Sequence, residues 1–171
     1  GLASDSLAAM FQLEARARAV LTEPELLFVI ANETWQLAPF RQAAVFRSDL
    51  FGRPRLRVVS GLAAIDEDAP YAQWLAAVAA SLWPRIGNAP RTISTADLPA
   101  ELAENWNEWW PRHVLACPLL APDGARLGLA LYVRDELWTE QHTALFARLH
   151  AGYGYSLWAI SNQAGRLTQW W

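Results

Sequence analysis

The 171-residue sequence contains one cysteine, no lysine and no long apolar run. A single cysteine excludes an intramolecular disulfide framework, and one thiol cannot build a zinc site without other ligands. The absence of lysine excludes lysine-based catalysis and a phosphate-binding P-loop. No apolar stretch approaches the ~20 residues that span a bilayer. These absences favour a reducing compartment, and we expect the chain to be cytoplasmic or to lie on the cytoplasmic face of a membrane protein.

Basic charge is also scarce. All 14 basic residues are arginines, they are dispersed along the chain, and the formal net charge is −3. Duplex nucleic acid is therefore not an expected partner, because binding it usually needs a basic face. A chain of this length forms one domain that can bury roughly 70% of the surface of its unfolded state. A substantial core is expected without covalent cross-links.

The stretch from Arg112 to Asp135 predicts two β-strands joined by a tight turn. Apolar residues that favour strands run from His113 to Leu120 and again from Leu127 to Val133. Between them, Pro122-Asp123-Gly124 supplies the residue types that a reversing backbone prefers. We expect this β-hairpin to organise the fold.

The register of the hairpin depends on its turn. With Asp123 and Gly124 at the turn centre, Leu120 lies opposite Leu127 and His113 lies opposite Arg134. A three-residue loop with a glycine bulge is the alternative, and it shifts the register by one residue.

The first register predicts two different faces. One face is wholly apolar and is expected to lie under helices; it carries Val114, Ala116, Pro118, Leu120, Leu127, Leu129, Leu131 and Val133. The other face mixes small, aromatic and polar groups, which suits the floor of a cavity; it carries His113, Leu115, Cys117, Leu119, Gly128, Ala130, Tyr132 and Arg134.

The hairpin and the segment after it resemble the carboxyl-terminal part of GAF domains. In GAF domains, one strand ends in a small residue followed by proline and leucine, and a turn that contains glycine comes next. A second strand with glycine near its start follows, and then an aromatic residue and a helix with a Leu-aromatic pair. The matching residues here are Cys117-Pro118-Leu119, Asp123-Gly124, Leu127-Gly128-Leu129, Trp138 and Leu145-Phe146.

This resemblance implies an α+β fold with a GAF-like, PAS-related central antiparallel sheet. Terminal helices would pack on one face of the sheet and a ligand-sized pocket would lie on the other. A PAS fold is the alternative, and the strand order distinguishes the two. Within this scheme we divide the chain into amino-terminal helices that pack on the sheet (1–38), a GAF-like domain (39–165) and a tail (166–171).

Periodicity and turn residues place the other elements. The predicted helices span Ser4 to Leu21, Pro24 to Pro39, a run after Pro70, Pro99 to Pro111, and Thr139 to about Asn162. The predicted strands before the hairpin span Phe40 to Arg47, Arg55 to Gly61, and Arg91 to Ser94. The acidic run Asp66-Glu67-Asp68 precedes Pro70, and we expect it to cap the following helix rather than to bind a metal.

Seven residues are predicted to bind a small molecule: Trp106, Trp109, Trp110, His113, Cys117, Tyr132 and Arg57. The tryptophans have i, i+3, i+4 spacing, so they cover one side of a helix. In the GAF arrangement this segment roofs the pocket, where the indoles either stack on a planar ligand or fill its space. Arg57, with Arg53 and Arg55, either holds an anionic group or blunts a solvated sheet edge.

No catalytic residues, metal or cofactor are predicted. His113 and Cys117 lie on one strand face, but four residues separate them by roughly 13 Å, too far for a nucleophilic pair. His142 and His150 are eight residues apart and do not form an i, i+4 metal pair. Comparison with GAF subfamilies disfavours sulfoxide reduction, which needs several cysteines, and cyclic-nucleotide binding, whose motif contains lysine. Bilin attachment is disfavoured because its cysteine lies outside the hairpin.

The last helix carries a seam of small residues, Gly152, Ser156 and Ala159, that permits close approach of the first helix or of a second copy. We expect a parallel homodimer through the terminal helices. The chain ends on Trp170-Trp171, and tryptophans favour membrane interfaces. A membrane segment after Trp171 and an aromatic tail packed on the domain are the two alternatives.

Two functions follow as expectations. The first is a non-catalytic regulatory domain that binds a small molecule and signals through its terminal helices. The second is a structural dimerisation module with a filled pocket, attached to a membrane secretion or transport protein of the membrane-fusion type.

Overall fold

The computed structural model describes residues 2–169, with side chains from 4 to 163. Its α-helices are α1 (Leu2–Ala19), α2 (Glu23–Phe28), α3 (Pro70–Leu82), α4 (Ala100–Ala103), α5 (Trp106–Trp109) and α6 (Glu140–Gln169). Its strands are β1 (Gln42–Ser48), β2 (Pro54–Val59), β3 (Arg91–Ile93), β4 (His113–Leu120) and β5 (Arg126–Arg134). A π-helical turn (Val29–Glu33) and a 3-10 turn (Thr34–Gln36) follow α2.

The five strands form one sheet in the order β2-β1-β5-β4-β3. Neighbouring strands pair antiparallel, so β2 and β3 are the edge strands. This arrangement confirms the predicted α+β fold with a central antiparallel sheet. The predicted hairpin of β4 and β5 contributes two of its three central strands.

Two irregularities decide the register of the hairpin. The turn has the three-residue form: Ala121 N–H donates to the Ala125 carbonyl, and Gly124 has a φ of +90°. A three-residue turn shifts the pairing next to it by one residue, so Leu120 lies opposite Arg126 and not opposite Leu127. A bulge between Leu119 and Leu120 then restores the first register, so His113 lies opposite Arg134 as predicted.

Helices cover both faces of the sheet, and the structure reverses the predicted assignment of the faces. The mixed face, which includes Leu115, Cys117 and Tyr132, packs in one core with α1, α2 and α6. The wholly apolar face, which includes Val114 and Leu131, packs in a second core with α3 and the tryptophans around α5. Because both faces are buried, their polarity does not indicate which helices cover them.

Helix α6 lies very close to β4. A Cβ atom added at Gly154 would be 2.4 Å from the Leu120 carbonyl oxygen, whereas one added at Gly152 would meet no atom within 4 Å. Gly154 therefore permits the close approach of β4, whereas the predicted seam at Gly152, expected to receive the first helix or a second copy, meets no atom of the described residues. The Thr139 hydroxyl accepts a hydrogen bond from His142 N–H at 3.1 Å and so caps the start of this helix, which was predicted to begin at Thr139.

Two local predictions in the middle of the chain are wrong. The helix predicted from Pro99 to Pro111 is two short helices, α4 and α5. The acidic run Asp66-Glu67-Asp68 does not cap α3. Asp66 Oδ1 accepts from Asp68 N–H at 3.0 Å within the run itself, and the N-cap residue of α3 is Ala69, which has no side-chain cap.

The last helix continues as α6 to Gln169, past the predicted end at Asn162. Trp170 and Trp171 lie outside the described residues, and with them the predicted membrane segment. No helix in the described range 2–169 is both long and apolar enough to span a bilayer.

Candidate functional site

The tryptophans predicted to roof a pocket form a closed aromatic cluster. Trp106 and Trp110 are buried, with ring centroids 5.0 Å apart and the rings nearly perpendicular. The Trp110 ring meets Trp74 of α3 in the same edge-to-face manner at 4.6 Å. Trp109 is half-buried and packs against Tyr71 at 5.2 Å. These contacts fill the space above the apolar face of the sheet.

The polar atoms of this aromatic cluster are also satisfied within the protein. The indole N–H of Trp106 donates to the Pro111 carbonyl at 2.9 Å, and that of Trp74 donates to the Leu102 carbonyl at 3.0 Å. The Trp110 indole N–H donates to the Tyr71 hydroxyl at 3.0 Å, and burial raises the pKa of that hydroxyl to about 12. Since each buried indole already has an acceptor, none is left to orient a ligand.

His113, Cys117 and Tyr132 lie on the opposite face of the sheet, under the terminal helices. Cys117 and Tyr132 are fully buried, and burial raises the pKa of the Cys117 thiol and of the Tyr132 hydroxyl. His113 is half-buried at the start of β4. A cavity shared by these three residues and the tryptophans is therefore excluded, because the sheet separates the two groups.

A buried polar network connects the mixed face to α6. The Tyr132 hydroxyl lies 2.8 Å from His150 Nε2 and 3.3 Å from the Ile30 carbonyl in the π-helical turn. His150 Nδ1 lies 3.3 Å from the Pro118 carbonyl. Burial lowers the pKa of His150 to about 3, so the imidazole is neutral near pH 7. A neutral ring that donates from Nδ1 and accepts at Nε2 satisfies both contacts.

An open groove of about 670 Å³ lies between β2 and α3. We call it the β2–α3 groove. Its apolar lining is Leu56, Ile65, Ala72, Ala76, Ala80 and Trp83. Its polar lining is Arg53, Arg55, Glu67, Asp68 and Gln73. This volume falls within the ~300–1,000 Å³ of typical small-molecule sites, and apolar walls with a few polar groups are typical of them.

Of the seven predicted binding residues, Arg57 alone borders this groove. It is exposed and lines an adjoining recess with Arg55, Ile65 and Glu67. A bulge in the pairing of β1 with β2 leaves Arg57 unpaired, because Val58 lies opposite Val45 and Leu56 opposite Phe46. Leu56 therefore packs on the α3 side and Val58 on the terminal-helix side, although strict alternation along a strand would place both on one face.

The α3 wall of the groove was not predicted from the sequence. Ala72, Ala76 and Ala80 recur every four residues in a helix whose other face carries Trp74, Leu75 and Val78. This alanine stripe was the available signal, since small residues leave space where large ones would pack. Only the position of α3 beside an edge strand shows that the space is a groove.

One arginine, Arg47, connects the sheet beside the groove to the terminal helices. Arg47 on β1 lies opposite Arg55 on β2. Its guanidinium donates to Glu23 Oε1 in α2 at 2.9 Å and to Ser161 Oγ in α6 at 3.0 Å. The same group donates to the Leu127 carbonyl at 3.2 Å. One half-buried side chain therefore connects β1, the strand paired with β2, to both terminal helices.

The sequence matches no protein-family model and no curated protein. Solved structures are similar in fold, and three of them illustrate the likeness. The GAF domain of a phosphoenolpyruvate-protein phosphotransferase from Coxiella burnetii is 15% identical, with a TM-score of 0.67 over 95% of this chain and 98% of that one. The GAF domain of the Acinetobacter enzyme is 11% identical, with a TM-score of 0.66 over 94% and 97%.

The third is the chromophore-binding domain of a bacteriophytochrome from R. palustris. It is 9% identical, with a TM-score of 0.68 over 92% of this chain and 62% of that one. Identity this low supports the fold and does not extend to ligands. The sheet order, the helices on both faces and these similarities together show that the chain has the GAF-domain fold.

Proposed function

We propose that this GAF-fold chain is a non-catalytic regulatory domain that binds a small molecule in the β2–α3 groove. The observation that carries the proposal is the contrast between a closed aromatic cluster and an open groove on the same side of the sheet. Sensory and regulatory proteins among the structural neighbours, including a chemotaxis protein and phytochromes, support the same class of function.

The groove lining indicates the kind of ligand. An apolar floor would hold a hydrocarbon or ring portion, while Arg53 and Arg55 on one side and Glu67 and Asp68 on the other would hold opposite charges. Arg55 is already held by Asp49 Oδ2 at 3.0 Å, which fixes its position at the rim. A zwitterionic molecule with an apolar body fits this arrangement better than a polyanion.

Binding would be passed to the terminal helices through Arg47. A ligand that moves β2 changes the pairing of β2 with β1 and so the position of the Arg47 guanidinium. Its bonds to Glu23 and Ser161 then favour one of two packings of α2 against α6. A ligand shifts such an equilibrium only by its difference in affinity for the two packings.

The test is a thermal-shift screen of the chain against a library of amino acids and related zwitterions. Any compound that raises the melting temperature is retested on Ala76→Phe, which fills the groove with a ring, and on Ala8→Phe, which adds the same ring at an exposed position of α1. The proposal predicts that Ala76→Phe abolishes the shift and Ala8→Phe keeps it. Shifts that survive in Ala76→Phe, or a library without any shift, would contradict the proposal.

The filled aromatic cluster favours a second candidate, a structural module that dimerises through its terminal helices. Leu7 and Phe11 are exposed on α1 one helical turn apart, and the Arg148 guanidinium of α6 lies 5.3 Å from the Phe11 ring centroid. A homodimer that buries these residues is expected to dissociate in Phe11→Glu. Light scattering after size exclusion measures this, and a monomeric parent chain would remove the second candidate.

A further inference from the structure

Three large apolar side chains project into solvent from two loops. Leu50 and Phe51 in the β1–β2 turn are 101% and 83% exposed, and Leu21 after α1 is 79% exposed. No other large apolar side chain in the described range is as exposed as these three. Isolated exposed leucines are ordinary, but adjacent apolar residues at a turn tip need an explanation.

The two loops lie at the same end of the domain. Leu21 is two residues before Glu23, and Leu50 is three residues after Arg47. The Arg47 guanidinium joins these positions, because it donates to Glu23 Oε1 at 2.9 Å. It also donates to Ser161 Oγ, so the carboxyl-terminal part of α6 runs toward this same end. We call this surface the apolar end; it comprises Leu21, Leu50 and Phe51.

The β1–β2 turn does not need its apolar residues for its own structure. Asp49 Oδ1 accepts from the backbone N–H groups of Phe51 and Arg53, each at 2.9 Å. The Asp49 carbonyl accepts from Gly52 N–H at 3.0 Å. One carboxylate thus holds the turn from within and leaves the two apolar side chains pointing outward. Polar residues would serve such a turn equally well.

Exposed arginines without a carboxylate partner surround the apolar end. Arg18 lies in the last turn of α1, and Arg53 follows the β1–β2 tip. Arg126 starts β5 two residues before Gly128, which pairs with Arg47, and its guanidinium donates to the Trp83 and Pro84 carbonyls at 2.8 and 3.5 Å. None of these three arginines forms an ion pair with a carboxylate in the described part of the chain.

We propose that the apolar end rests on the surface of a bilayer that contains anionic phospholipid. Leu21, Leu50 and Phe51 would enter the boundary between headgroups and acyl chains. The guanidinium groups of Arg18, Arg53 and Arg126 would bind lipid phosphates, which they fit in bidentate geometry. Separate projecting tips suit such insertion, whereas a protein partner usually needs a continuous patch of about 800 Å².

The test measures cosedimentation of the chain with phosphatidylcholine vesicles, with and without phosphatidylglycerol. We expect binding to phosphatidylglycerol vesicles that weakens with salt. Leu50→Ser/Phe51→Ser should weaken partitioning at least about tenfold. Arg53→Gln should weaken it about fivefold. All these side chains are exposed, so the variants should keep the melting temperature of the parent chain.

Matched controls come from the opposite end of the sheet. Leu137 is 69% exposed after β5, and Arg112 is exposed before β4. Leu137→Ser and Arg112→Gln should bind vesicles as the parent chain does. Absence of vesicle binding, or equal loss in the controls, overturns the proposal. A change of oligomeric state in Leu50→Ser/Phe51→Ser without any vesicle binding would assign the apolar end to a protein contact instead.

A second measurement reports insertion directly. Cys117 is fully buried, so a cysteine introduced by Phe51→Cys is the accessible thiol for an environment-sensitive dye. On phosphatidylglycerol vesicles the dye emission should shift to the blue and become protected from an aqueous quencher. The same dye at Leu137→Cys should do neither. Equal behaviour of the two labelled variants would refute insertion of the tip.

Discussion

The close packing of α6 on β4 predicts opposite effects for two alanine substitutions two residues apart. Gly152→Ala adds a methyl group in open space, so it should stabilise the fold by about 1 kcal/mol through helix propensity alone. Gly154→Ala gains the same propensity but places its methyl group 2.4 Å from the Leu120 carbonyl oxygen and 2.8 Å from the Leu120 nitrogen. Neither atom is a flexible side-chain end, so the helix and the strand must separate.

Such overpacking typically costs about 1–3 kcal/mol, and contact with backbone places Gly154→Ala at the upper end of that range. After the gain in propensity is subtracted, we expect a net loss of about 2 kcal/mol, and a difference of about 3 kcal/mol between the two variants. Urea unfolding followed by circular dichroism measures both. Equal stability of the two variants would refute the packing of α6 on β4 at Leu120.

Three further predictions concern the two cores. Native Cys117 should not react with a thiol reagent until urea unfolds the chain, because the thiol is fully buried and burial raises its pKa; fast labelling of the folded protein would contradict this. Trp106→Ala should cost about 3–5 kcal/mol in unfolding free energy and half-buried Trp109→Ala clearly less, a contrast that an open cavity beside Trp106 would remove. Because the folded pKa of His150 lies below its unfolded value of 6.5, the unfolded state binds the proton first as pH falls. Stability should then drop by about 1.4 kcal/mol per pH unit between about pH 6 and 4, and His150→Gln should flatten that slope in urea titrations.

The hairpin was predictable from sequence because its signals are local. Apolar, strand-favouring runs from His113 to Leu120 and from Leu127 to Val133, joined by a Pro-Asp-Gly turn, specify two paired strands, and the residues that match GAF domains lie in the same stretch. The predicted pairing of His113 with Arg134 is correct only because the bulge between Leu119 and Leu120 cancels the one-residue shift that the turn introduces. Residue types alone do not predict that a three-residue turn and a bulge occur together and compensate each other.

The candidate site was much less predictable. Tryptophan spacing indicated that Trp106 and Trp110 share a surface, but not that Trp74 and Tyr71 close it. Both faces of the sheet are buried, so hydrophobicity could not distinguish the side of Tyr132 from the side of Val114. The groove depends on where α3 lies relative to β2, which is a long-range contact without a local signature.

In the proposed binding mode, a ligand enters the β2–α3 groove while the aromatic cluster stays closed. A two-dimensional ¹⁵N NMR spectrum tests both parts at once, with each zwitterion that stabilises the chain added in turn. We predict shifts of the backbone amides of Leu56, Ile65 and Ala76, which line the groove, and unchanged indole N–H signals of Trp74 and Trp106. Shifts centred on those indoles, with Leu56 and Ala76 unmoved, would contradict the account.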